Sequence, residues 1–177
     1  MTTTQGVADA IAQSLLPEFD QEMAATRRVL ERTPEAQAAW QPHPKSMTLG
    51  RLADHLAELP GWVAATLEGT EVDLAPPGGS PYQPPVFKSL QETLRTFDEN
   101  VAKARAVLAA CSDADMMVPW SLKRGGETVM TLPRVAVLRG FCLNHLIHHR
   151  GQFTVFLRLQ NVPLPQVYGP TADSPMM

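Results

Sequence analysis

The chain is poor in several features that would mark a functional class, and each shortage narrows the choice. It has two cysteines, Cys111 and Cys142, too few for a disulfide framework and suited to a reducing compartment. Each reads as a small core hydrophobe. The formal net charge is −3 with 19% charged residues, which leaves no basic footprint for nucleic acid. No apolar run approaches the roughly eighteen residues of a membrane span. The N-terminus lacks the basic-then-apolar pattern of a signal peptide, so the expected location is cytoplasmic. Three catalytic signatures are also missing. There is no His-Glu-x-x-His, which disfavours a zinc protease, and no Gly-x-Ser-x-Gly elbow for a serine hydrolase. Gly78-Gly79 and Gly125-Gly126 are isolated pairs, not a phosphate-binding loop.

What is present fits an ordinary globular protein. The 177 residues, 44% of them hydrophobic, are expected to form one domain over 1–177, large enough to bury a core without staples. Val7, Ile11, Leu15, Phe19, Met23 and Leu30 predict a helix from Thr4 to about Thr33, weakened locally by Pro17. Pro34, Pro42 and Pro44 impose a loop. A second helix is predicted over 48–68, capped by Ser46 or Thr48, kinked by Pro60 and ended by Gly69. Pro76, Pro77, Pro81, Pro84 and Pro85 make residues 70–85 an irregular crossover. The clearest helix is expected over 86–111, from Phe87, Leu90, Leu94, Phe97, Val101, Ala104 and Leu108. Two short extended pieces around Lys123-Arg124-Gly125-Gly126 suggest a hairpin near 118–130. The last helix is expected from Thr131, as N-cap, to about Gln160, and the proline-bearing tail is irregular. Four long helices with irregular crossovers imply an all-α helical bundle.

One segment stands out. Asn144-His145-Leu146-Ile147-His148-His149-Arg150-Gly151-Gln152 places three of the five histidines within five positions of an apolar helix. An imidazole in a core must find partners for both ring nitrogens, and a divalent cation satisfies several rings at once. His145 and His149 are one helical turn apart and share a face. Projected at about 100° per residue, that face also carries Val135, Leu138, Cys142, Leu146, Phe153 and Phe156. His55, on the apolar side of the second helix with Leu52, Leu56 and Leu59, is the best third ligand. His148 projects to the edge of the apolar face and His43 sits between two prolines, so both are set aside. Asp54 and Glu58 read as surface charges, Arg150 as the partner of a carboxylate on a neighbouring helix, and Gly151 as a point of close helix approach. Gln152 is expected to hydrogen-bond within the bundle. Trp62 and Trp120 are candidates for pocket walls or plain core. Three neutral imidazoles leave a divalent cation a free coordination position, where water or a thiol could be activated.

With His55 on the second helix, His145-x-x-x-His149-Arg150-Gly151-Gln152 on the last and the trailing Leu157-Arg158-Leu159-Gln160-Asn161-Val162-Pro163-Leu164-Pro165, the chain resembles the DinB/YfiT-like superfamily over about residues 7–170. The resemblance implies an up-down four-helix bundle, often a homodimer, with zinc or nickel held by three histidines, here His55, His145 and His149. Characterised relatives include S-transferases and an isomerase dependent on low-molecular-weight thiols such as bacillithiol or mycothiol. The implied function is a metal-dependent thiol S-transferase in stress or detoxification, acting on small-molecule substrates. Two alternatives stand beside it: a non-catalytic binding bundle, and a hydrolase using metal-bound water.

Overall fold

Apolar residues at helical spacing build most of the molecule. In the computed structural model, which describes residues 10–175, α1 runs Ala10–Leu30 and buries Leu15, Phe19 and Met23, as its pattern requires. The expected beginning at Thr4, with Val7, lies outside the described residues. Pro17 sits within α1 without ending it. Helix α2, Leu49–Glu68, starts from Thr48, whose hydroxyl accepts the Arg51 amide at 3.2 Å, and stops at Gly69. Pro60 is likewise carried inside it.

Helix α3, Leu90–Ala109, is shorter than its sequence pattern suggests. Ser89 adopts an extended backbone and caps the Glu92 amide, which sets the start. Phe87 therefore packs from the crossover and not from the helix. It lies so close to Gly50 that a Cβ there would meet its ring at 2.7 Å.

The all-α expectation is corrected by a small sheet of three strands in the order β1-β2-β3. Strand β1, Glu71–Asp73, falls in the expected irregular crossover and pairs parallel with β2, Pro119–Arg124. Three residues are too few to show a period of two, which hides the strand in the sequence. Strand β3, Glu127–Pro133, pairs antiparallel with β2, so the hairpin is present and reaches further than 130. Gly125 and Gly126 turn it with φ of +66° and +82°, the left-handed pair that a two-residue hairpin loop demands. Trp120 and Leu122 alternate inward along β2. With Val137 they form a second apolar cluster, against which Trp62 and Phe141 pack, so Trp120 is core and not a pocket wall. Before the hairpin lies α4, Asp113–Met116, a single turn closed by a capping box between Ser112 and Asp115.

Thr131 is in β3 and is not a helix cap. The last helical run starts two residues later, with Pro133 at the cap position, and has three parts: α5, Arg134–Val137, a π-helical segment, Leu138–Leu143, and α6, Asn144–Leu159. The π segment changes the angular phase of everything before it. Val137 at the end of α5 and Leu138, Cys142 and Leu143 in the π segment are buried, a set that a straight projection does not give. The main core joins Phe19, Leu52, Leu56, Leu59, Phe97, Leu146, Phe153 and Leu157; each fully buried apolar side chain of this size contributes about 1.5–3 kcal/mol. Among the described residues no helix is long and apolar enough to cross a membrane.

Arg150 ties α6 to α1, as its expected structural role requires. Its guanidinium pairs with Glu22 at 2.6 Å and also donates to the Glu22 carbonyl and the Thr26 hydroxyl. Tyr168, from the tail, accepts from Arg150 at 2.6 Å and donates to Glu22 at 2.8 Å. Both charged side chains are buried, and every charge has a partner. Gly151 makes no close approach: a Cβ there would meet nothing within 4 Å. Arg150→Met strands the Glu22 carboxylate in the interior and should destabilise the protein by about 3–5 kcal/mol. Adding Glu22→Gln should recover part of that loss, as measured by urea unfolding; a single variant with wild-type stability would contradict the ion pair's role.

Candidate metal centre

The three inward histidines come from two helices with different local reasons for facing one another. His55 lies on α2 between core residues Leu52, Leu56 and Leu59. His145 is the second residue of α6, just after the π segment, and His149 follows one turn later. All three rings are half-buried, and one ligand atom from each lies within 4.8 Å of the others. The closest atoms are the Nε2 nitrogens, with His55 to His145 at 3.4 Å and His149 to His145 at 2.9 Å.

The outer ring nitrogens decide which protons these rings carry. His145 Nδ1 lies 3.3 Å from the Phe141 carbonyl. A carbonyl only accepts, so Nδ1 carries the proton and Nε2 keeps its lone pair. His149 Nδ1 lies 2.7 Å from Gln152 Oε1, and with the amide in that orientation it also donates. This is the hydrogen bond expected of Gln152. His55 Nδ1 is buried without a formed hydrogen bond, and Glu58 Oε2 stands 3.5 Å away. At that distance the contact is electrostatic, but a carboxylate can only attract a protonated Nδ1.

Protonation of the Nε2 group is opposed. Burial, followed by the neighbouring His55, pushes His145 below the ordinary histidine range. His149 is pushed down to about 4, first by burial and then by His55 and His145, although Gln152 acts the other way. The result is that His145 and His149 favour the neutral form and aim Nε2 lone pairs into the volume that His55 Nε2 also faces. Nitrogens bound about 2.0–2.1 Å from a single tetrahedral cation lie about 3.3 Å apart; the His55–His145 pair at 3.4 Å meets this, and the His149–His145 pair at 2.9 Å would open slightly to admit the ion. The donor set therefore fits a divalent cation.

The surroundings differ from expectation at two acids. Asp54 is buried, not on the surface, and accepts a 2.6 Å hydrogen bond from Thr93 across the α2–α3 contact. Burial raises its pKa above the ordinary carboxylate range, in spite of Thr93 and Arg51. Glu58 is also largely covered. It pairs with Arg51 at 3.1 Å and accepts from the Tyr82 hydroxyl at 2.6 Å. Burial opposes its charge, but the contacts from His55, Tyr82 and Arg51 outweigh that and hold the carboxyl low. The three-residue spacing of His55 and Glu58 is visible in the sequence. Nothing there brings Tyr82 to them from the proline-rich crossover.

The set-aside residues stay outside the cluster. His148 is exposed, with its ring 5.0 Å from that of His149. His43 accepts the Lys45 amide in an exposed loop. Trp62 stacks edge-on against Phe141 at 5.6 Å, and Phe141 lies 5.7 Å from the His145 ring. A hollow of about 260 Å³ is lined by Glu58, Trp62, Val72 and Tyr82, and Glu58 is its link to the histidines, none of which lines it. Cys142 supplies no reactive sulfur, because burial pushes its thiol up to about 12.

A mostly helical scaffold with three histidines from two of its helices defines a class of candidate metalloproteins. The chain belongs to the DinB superfamily, whose sequence signature matches residues 18–153. Its fold is similar to that of a DinB-like protein from Bacillus subtilis, with a TM-score of 0.65, 18% identity, and coverage of 93% of this chain and 99% of that one. It is similar also to a DinB-like protein from Bacillus cereus, with a TM-score of 0.67, 22% identity, and coverage of 88% and 97%. No curated protein matches.

The depressed His149 pKa sets a pH dependence. Between about pH 6.5 and 4 the unfolded chain holds a proton on His149 that the folded chain lacks, so stability falls as pH falls through this window. Urea midpoints of metal-free protein should therefore drop from pH 7 to pH 4.5, and less steeply in His149→Gln. Parallel slopes for the two proteins would remove His149 as the source.

Proposed function

We propose that His55, His145 and His149 bind a divalent cation, zinc or nickel, and that the protein is a metal-dependent S-transferase for a low-molecular-weight thiol. One observation carries the reading: three Nε2 atoms converge at 2.9 and 3.4 Å while two of the outer nitrogens donate away from the centre. Apposed lone pairs repel unless something electron-poor lies between them, and a divalent cation fills that role at rings whose protonation burial opposes. A cation held by three neutral nitrogens would supply Lewis acidity, with a coordination position open to a thiol.

The chain's own residues do the rest. The Phe141 carbonyl and Gln152 hold the His145 and His149 rings in the tautomer that presents Nε2. Trp62, Val72 and Tyr82 line a largely apolar hollow next to Glu58, suited to the carbon skeleton of an electrophilic acceptor. No glutamate is placed as in a His-Glu-x-x-His site, so the general base of a zinc protease is missing. The scaffold under this reading is the up-down four-helix bundle of the superfamily, counting α5, the π segment and α6 as one rod, with the small sheet as an addition.

Protein purified without a histidine tag should contain stoichiometric zinc or nickel, and His149→Ala should lose it. With monobromobimane or chlorodinitrobenzene as acceptor, the metal-loaded protein should accelerate consumption of a bacillithiol- or mycothiol-type thiol. His149→Ala should fall to the uncatalysed rate. Bound metal without a metal-dependent rate for any thiol would leave a binding protein and end the transferase reading. Absence of metal would end both.

A further inference from the structure

We infer that Glu58 is a positioning residue for His55, held in place by Arg51 and by Tyr82 of the proline-rich crossover, so that this crossover helps set the affinity of the histidine cluster for a cation. The inference rests on the metal-binding reading above and adds residues to it. His145 and His149 each have an acceptor for the outer nitrogen, at 3.3 and 2.7 Å. His55 is the exception: its Nδ1 is buried and lacks a formed hydrogen bond. A buried, unsatisfied ring N–H is costly. The nearest carboxylate oxygen is Glu58 Oε2, at 3.5 Å, one turn further along α2.

Glu58 is itself restrained. Oε1 accepts from the Tyr82 hydroxyl at 2.6 Å, and Oε2 accepts from Arg51 Nη1 at 3.1 Å. The Arg51 and Glu58 side chains are only 22% and 18% exposed, so neither is an ordinary solvated surface charge. Arg51, His55 and Glu58 fall on neighbouring positions of α2, spaced by four and three residues. Tyr82 closes the group from outside the helix, and its amide is tied back to the Leu74 carbonyl at 2.7 Å. His55, were its Nε2 to hold a cation, would lose electron density from the ring, and its Nδ1 proton would become a stronger donor. A fixed carboxylate beside that proton raises the basicity of the ligand and aligns its plane.

The test is cobalt(II) titration of metal-free, untagged protein, followed by the visible d–d absorption and by zinc competition. Glu58→Gln should weaken cobalt binding by about 10- to 100-fold and alter the band shape, while the far-UV circular dichroism of the metal-free variant stays that of wild type. Tyr82→Phe should weaken binding less, in the same direction. In a His55→Ala background, Glu58→Gln should have no further effect on cobalt affinity. Wild-type affinity in Glu58→Gln, or an equal loss with and without His55, would overturn the inference and leave the metal reading standing. If Glu58→Gln does not fold, Tyr82→Phe decides, because it removes a single oxygen from the network: weakened cobalt binding supports the inference and wild-type affinity overturns it. Failure of the wild-type protein to bind cobalt or zinc would remove the metal reading and this inference together.

Discussion

A neutral imidazole has one donor and one acceptor, and in this protein the way that pair is oriented controls the centre of the molecule. His145 and His149 spend their donors on the Phe141 carbonyl and on Gln152, at the margin of the cluster. Their acceptors are thereby turned inward, towards each other and towards His55. The inward face of these two rings is then electron-rich, an arrangement that apolar packing alone would not favour. The core around it makes the arrangement possible. Leu52, Leu56, Leu59 and Leu146 bury the helices that carry the rings and fix the distance between α2 and α6.

Distance is not enough, because a ligand on a helix also needs the correct rotation about the helix axis. Two features set that rotation for α6. At its beginning, the π segment takes up a phase change, so that Phe141 presents a carbonyl to the His145 ring. Directly after His149, Arg150 reaches the other way into the interior and locks to Glu22 and Tyr168. Adjacent residues on a helix point about 100° apart, so an inward ion pair at 150 holds 149 to a defined angle. A ring at position 149 would swing if that pair were free to move. The ion pair therefore contributes geometry more than net stability, since replacing such a pair with apolar side chains often costs little.

Much of this was legible in the residues. Leu52, His55 and Leu56 share an inward arc of α2, and the i, i+4 spacing of His145 and His149 places both on one side of α6, because these are local consequences of helical period. The hairpin was visible from Gly125-Gly126, since two adjacent glycines between extended pieces suit the left-handed backbone of a two-residue turn. Features that depend on tertiary contact were not. Asp54 and Glu58 have the composition of surface charges, and only the packing of α3 and the crossover covers them. The π segment has no sequence mark that separates it from α-helix. Strand β1 exists because β2 pairs with it, not because three residues prefer to be extended.

The sheet looks remote from the histidines, yet a continuous series of contacts runs from one to the other. Asp73, at the end of β1, accepts the amides of Gly125 and Gly126 at 3.0 and 2.7 Å and so holds the hairpin tip against the crossover. Leu74 continues the ladder to the Lys123 carbonyl and also receives the Tyr82 amide. The intervening prolines limit the freedom of the unfolded chain, so holding the crossover in one path costs less entropy than a glycine-rich loop of the same length. Tyr82 emerges from that path over Glu58, and Glu58 faces His55. A small sheet added to a helical scaffold thus does more than cover one end of it. Through backbone bonds it fixes where the crossover returns, and through one phenol it brings that position to the edge of the histidine cluster.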